Sequence, residues 1–188
     1  RTRERMPDAR KTLITDGGEV SASPGPSRPS AGRWSQQDWI ILLVLVLLAA
    51  SLRFHGLGVV PPGFQFDEAY NASDAANVLA GDRPLFLPRN GGREVLYTYL
   101  QAAVATVAGL SLRNLRMVSA LAGITAVAAS YVLLRGLLGN GPRRAGRSVA
   151  AFASLALAIS FWHLHFSHYG IRVILMPVIF SGVCGFFW

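Results

Sequence analysis

Leu115–Leu138 reads LRMVSALAGITAVAASYVLLRGLL. Between Arg116 and Arg135 it carries no charge. A helix of about 20 apolar residues crosses a hydrocarbon core about 30 Å thick. An arginine near either end sits well at the headgroup level. This segment therefore predicts a membrane-spanning helix, and the rest of the chain is read outward from it.

Upstream, Trp39–Leu52 (WIILLVLVLLAASL) is uncharged and reaches spanning length when continued to Leu57. Trp34 and Trp39 suit one interface, and Arg53 can snorkel to the other. The long polar stretch before it and the spans after it favour an uncleaved first helix over a signal peptide. Downstream, Val149–Trp162 (VAAFASLALAISFW) and the run from Val173, with Pro177 as a kink point, predict two more spans. The expected spans are about 39–57, 115–138, 149–165 and 173–188. The fold class they imply is all-α, a polytopic transmembrane helical bundle. Residues 1–38 include SASPGPSRPSAGR, which has no hydrophobic periodicity, and predict a disordered cytoplasmic tail.

Charge is unevenly placed. All ten acidic residues lie at or before Glu94, and from Val95 onward there are seven Arg and no acid. In a chain with this clustering of apolar runs, the net charge of +8 fits cytoplasmic loops and lipid headgroups, not nucleic acid. Cys184 is the only cysteine, so an internal disulfide and a zinc ribbon are excluded. The chain starts at Arg1 and stops within VILMPVIFSGVCGFFW; it is expected to be the N-terminal part of a longer protein.

Residues 53–94 form a polar stretch. Pro61-Pro62-Gly63 stops any helix, and Asp67–Ala80 reads as a short amphipathic helix. Ala69, Ala72, Ala76 and Leu79 would make one face; Tyr70, Asp74 and Asn77 would make the other. Val95–Leu112 (VLYTYLQAAVATVAGLSL) is apolar enough to span. If it spans, the Arg143-Arg144-Arg147 loop falls outside, against the positive-inside bias. If it lies at the outer interface, that loop is cytoplasmic, and HLHFSHYGIR (163–172) joins Asp67-Glu68 on the outer face. The charge bias and the Thr98, Gln101 and Thr106 content favour the second arrangement. The first external loop then holds juxtamembrane helices at about 67–80 and 95–112.

Two adjacent carboxylates just outside a span, Asp67-Glu68, have two readings. They can act as a catalytic base and its support, or as a helix N-cap and a first-turn acid. HLHFSHYGIR likewise reads as an interfacial aromatic belt or as a phosphate contact through Arg172. His165 and His168 are spaced i, i+3, but no third ligand follows at a suitable spacing, so no metal site is expected. No charge falls at the centre of 39–52, 117–134 or 149–162, which argues against ion or proton translocation.

The elements PPGFQFDEAY, AGDRPLF, LRNLRMVSALAGITAVAASYVLLRGLLG and SFWHLHFSHYGIRVILMP, in that order, resemble the GT-C membrane glycosyltransferases. The closest group is family thirty-nine, with the protein O-mannosyltransferases and aminoarabinose transferases. The resemblance covers roughly residues 38–188. It implies a polyprenyl-phosphate sugar donor and transfer, with inversion, to an acceptor hydroxyl of a lipid, protein or polysaccharide. It implies Asp67 as base with Glu68 beside it; Arg172, with His168, is then expected on the donor phosphate, and Tyr70, Arg93 and Tyr169 are expected to line the substrate. His168 stands where many members have Arg, and the Asp that follows this element in aminoarabinose transferases is absent from IRVILMP. No cofactor is implied, and a divalent metal is left open. The expected location is the plasma (inner) membrane, with the site on the external face. A lipid-carrier transporter or flippase, or a non-catalytic membrane subunit, is the alternative.

Overall fold

The computed structural model describes residues 34–89, 91–139 and 143–188. Most of the expected tail lies outside these residues. Its last residues do not belong to a tail at all. Helix α1 runs Gln36–Phe54, capped by Ser35. The Ser35 amide donates to the Asp38 carboxylate (2.8 Å), and the Asp38 amide donates back to the Ser35 hydroxyl (3.3 Å). This capping box starts the helix ahead of Trp39.

The order of the remaining elements is α2 (Phe66–Leu79), α3 (Leu96–Ala108), α4 (Leu112–Leu137), α5 (Arg143–Ile159), α6 (Phe161–His168), a 3-10 turn (Arg172–Leu175) and α7 (Met176–Phe187). Among the described residues there is no strand; a reciprocal pair of backbone hydrogen bonds joins Leu87 and Arg93. Helices α1 and α4 are long and apolar enough to cross a membrane; α5 and α6, bent by 53° to one another, reach that length only if the two are taken as one span. Pro177 sits in the first turn of α7, where its missing N–H costs nothing, so it begins this helix and does not kink it.

Helix α4 is the centre of the molecule, packed by α1, α3, α5, α6 and α7. One core cluster joins Leu45, Ala49, Val127, Tyr131, Ala150 and Ala158. Four of these contacts depend on small or β-branched side chains, which let the backbones of apolar helices approach closely. Outward-facing Leu43, Leu47, Phe152 and Phe180 remain exposed on the flanks.

The two ends of the bundle are held by buried charge. At one end, Asp38 on α1 accepts from Arg135 of α4 (2.8 Å) and Arg147 of α5 (3.2 Å). At the other, α1 leads out and α4 leads in, so α1 and α4 are antiparallel neighbours, and α2 and α3 form an excursion between them. Helix α3 runs antiparallel to the first turns of α4. Tyr97 meets Ser119 (2.6 Å), Gln101 meets the Leu115 carbonyl (3.3 Å), and Asn114 meets the Ala108 carbonyl (2.8 Å). Its 13 residues rise about 20 Å, short of the hydrocarbon thickness.

Arg53 does not snorkel. It is fully buried between α1, α5 and α6. Its guanidinium donates to Ser167 Oγ (3.1 Å), to the Ala49 carbonyl (3.1 Å), to the Ala158 carbonyl (3.3 Å) and to His163 Nδ1 (2.7 Å). The physical reason is the break after Ile159. It leaves the last carbonyls of α5 without helical donors inside the bundle, and buried carbonyls need partners. The stretch HLHFSHYGIR is accordingly not a connector from its start: α6 stays helical through His168.

Candidate functional site

Helix α2 lies across the end of the bundle where α1 ends and α4 begins. Its N-cap is Gln65, so Asp67 is a first-turn residue and not the cap. Positions 67 and 68 are about 100° apart around a helix, and this separates their surroundings.

Glu68 points into the protein and is 2% exposed. Arg116 of α4 meets it bidentately, Nε to Oε1 at 2.7 Å and Nη2 to Oε2 at 2.8 Å. The Gly170 amide donates to Oε1 (2.8 Å) and the Gln65 amide to Oε2 (3.2 Å). Burial alone would raise this carboxyl's pKa; Arg116 and the two amides outweigh it and hold it below the ordinary value. Arg116 also donates to the Pro61 and Gly63 carbonyls, both at 3.0 Å. Glu68 thus ties together α2, α4, the proline turn and the segment after α6. A Cβ at Gly170 would stand 3.2 Å from this carboxylate, so only glycine fits there without displacement.

Asp67 is half-buried and lines a cavity of about 210 Å³ with Asn71, Arg93, Ile171, Arg172 and Val173. The 3-10 turn brings Arg172 into the lining of the same cavity. Arg172 Nε pairs with Glu94 at 3.3 Å, and its Nη1 is buried with no hydrogen-bond partner among the described residues. Arg93 is 4% exposed. Its guanidinium pairs with Asp74 and donates to Asn71 Oδ1 and, from Nε, to the Arg89 carbonyl (3.3 Å). The Tyr70 ring lies 5.9 Å from it. Asn71 in turn donates to the Gly170 carbonyl (2.8 Å), so α2 grips both polar groups of that glycine.

The structure brings Asp67, Arg93 and Arg172 into one cavity. It places Glu68 behind the cavity wall, and Tyr70 against Phe66 and Arg93. His168 is elsewhere: its ring nitrogens face the Leu164 and His55 carbonyls, both at 3.0 Å, because α6 continues to this residue and turns it toward the end of α1. The Tyr169 ring lies 5.2 Å from that of His165, tilted by 42°. Burial first, then the Glu68 and Asp67 carboxylates, push its hydroxyl pKa up. The three histidines of 163–168 diverge: His163 meets Arg53, His165 sits among aromatic rings, and His168 meets backbone. Among the described residues, no three metal-capable side chains converge.

Asn71, Asp74 and Arg116 were not singled out as site residues from the sequence. Asn71 and Asp74 follow Asp67 at i+4 and i+7, a stripe that helical spacing alone could have shown. Arg116 was read as a headgroup-level residue at the end of a span, and nothing local to it names a buried carboxylate as its partner. Its partner is 48 residues away.

A second cavity, of about 590 Å³, lies between α3, α4 and α7, lined by Leu100, Val104, Leu121 and Val178 among others. It is larger, but unlike the cavity at Asp67 it carries no ionisable group. No protein-family model, no curated protein and no solved structure matches this chain.

Proposed function

We propose that this chain belongs to an integral-membrane glycosyltransferase that uses a polyprenyl-phosphate sugar donor at the external face. The observation that carries the reading is that Asp67 and Arg172 line one cavity at the α2 end of the bundle. Asp67 accepts the proton of an acceptor hydroxyl as its oxygen bonds to the anomeric carbon. The bond from that carbon to the phosphate oxygen breaks, and the phosphate leaves toward Arg172, whose free Nη1 is already aimed at no other acceptor. Attack and departure on opposite faces of the sugar give inversion. Glu68 fixes the start of α2 and thereby the direction of Asp67.

A transport reading would need polar groups inside the bundle that exchange partners. Arg53 is such a group, but it is held by helix carbonyls and side chains on three elements, which fits a structural hub. The resemblance in sequence and the polar cavity favour transfer over transport.

The test uses the full-length protein in lipid nanodiscs and a panel of radiolabelled polyprenyl-phosphate hexoses and pentoses. Asp67→Asn should fold normally and lose at least about 100-fold in kcat. Full transfer activity in Asp67→Asn, or intact donor crossing the membrane with no transfer by the parent protein, would overturn the assignment.

A further inference from the structure

Asp74 has no place in the reaction just described, yet it is 5% exposed and charged. It lies two turns along α2 from Asp67, on the same inward stripe as Asn71. Its carboxylate pairs with Arg93, which is equally buried. An ion pair taken out of water persists only where geometry and further hydrogen bonds compensate its desolvation, and apolar side chains of similar volume usually do as well. A buried pair beside a polar cavity therefore calls for an account other than stability.

The account lies in Arg93. It sits in the loop between α2 and α3, and loops orient side chains poorly unless something holds them. Here the backbone is held by Leu87 in both directions, Leu87 amide to Arg93 carbonyl (3.0 Å) and Arg93 amide to Leu87 carbonyl (2.8 Å). The side chain is held at all three nitrogens, by Asp74, by Asn71 and by the Arg89 carbonyl. Arg93 is one of the residues lining the cavity that Asp67 and Arg172 share. A cation fixed before the substrate arrives needs no reorganisation during the reaction.

We infer that Asp74 is a positioning residue: by pairing with Arg93 from α2, it aims a second fixed cation at the anion that enters the Asp67 cavity. The inference rests on the proposed function for the identity of that anion, a lipid-linked phosphate. Asp74 does not touch it. Asp74 acts through Arg93, and Asn71 shares the task while linking the pair to Gly170 and the segment that carries Arg172.

A double-mutant cycle tests it in the full-length protein, with Asp74→Asn, Arg93→Gln and both together. The first readout is apparent affinity for a polyprenyl monophosphate, measured by protection against thermal unfolding in nanodiscs. The second is kcat/KM for transfer from the radiolabelled donor panel. Each single variant should weaken affinity on the order of 10-fold, the worth of one charge-assisted hydrogen bond. The double variant should be no weaker than Arg93→Gln alone, since Asp74 has nothing left to aim. It should also unfold at a higher temperature than Asp74→Asn, because no uncompensated charge stays buried. Asp74→Glu should recover part of the affinity, which a purely structural loss would not. Wild-type affinity in Asp74→Asn, or single effects that multiply in the double variant, overturns the inference. Non-additive binding without transfer by the parent protein leaves Asp74 as assigned and removes the transferase reading. Transfer with an additive cycle removes Asp74 alone, and a parent protein that binds no lipid phosphate removes both.

Discussion

Glu68 and Asp67 are adjacent in the chain and opposite in surroundings. Replacing Glu68 by Gln leaves Arg116 buried with neutral partners, so the variant should lose about 3–5 kcal/mol of stability at neutral pH. The dependence on acid follows from the direction of the Glu68 shift. Its folded pKa lies below the ordinary 4.5, so its contribution is complete above that value and drains away as pH falls toward the folded one. Thermal unfolding in detergent should therefore show the gap between parent and Glu68→Gln narrowing as pH drops below about 4.5. A gap that stays constant into acid would remove Glu68 as the titrating partner. The pair DE was legible in the sequence as a unit. Which of the two faces inward was not, because that is decided by Arg116 and Gly170, each far away in the chain.

At the scale of elements, the break between α5 and α6 shows how tertiary partners set local structure. The sequence places an apolar span at 149–165 and a polar connector after it. The structure instead starts the helix at Arg143, breaks it after Ile159 and resumes it through the histidines. Ser160 and the aromatic run give no strong stop signal; the break is stabilised by Arg53 from α1. Gly123 of α4 makes room for this contact: a Cβ there would run into Ser167 Oγ and lie 2.7 Å from Arg53 Nε. Gly123→Val should therefore push α6 off α4 and cost about 1–3 kcal/mol or more, read as a lowered unfolding temperature. An unchanged unfolding temperature would mean that α6 is free to move away. Helix α2 gave a similar lesson. Of the face read as Ala69, Ala72, Ala76 and Leu79, Ala69 and Leu79 are exposed, while the polar Asn71 and Asp74 are buried. Arg93 and Gly170 supply partners for these polar groups, and hydrogen bonding then overrides the apolar pattern.

At the scale of the whole molecule, the positive-inside bias and the buried ion pairs point to the same arrangement of ends. Asp67 and Arg172 share a cavity at one end, and Asp38 with Arg135 and Arg147 closes the other. In a Cys184→Ser background, single cysteines at positions 67 and 172 should react with an impermeant thiol reagent from the same side of intact cells. One at position 144 should react only after permeabilisation. Labelling of positions 67 and 144 from one side would break the assignment of the two ends. The long apolar helices α1 and α4 and the polar excursion after α1 were readable from apolar run lengths; the expected span at 173–188 is instead a 3-10 turn and a short apolar helix. The internal charges were not readable, because run length shows where a helix fits and says nothing of which arginines turn inward.

The clamp at Asp38 also bears on how the chain is made. Its partners Arg135 and Arg147 lie 97 and 109 residues later. At the usual 5–20 residues per second, about 5–20 s pass after Asp38 is made before its first arginine partner is synthesised. The capping box with Ser35 gives Asp38 a local partner during that interval. The same carboxylate thus serves first as the start signal of a lone helix and later as the latch that recruits α4 and α5. Assembly of this bundle has a built-in order, written in the distance along the chain between one acid and two bases.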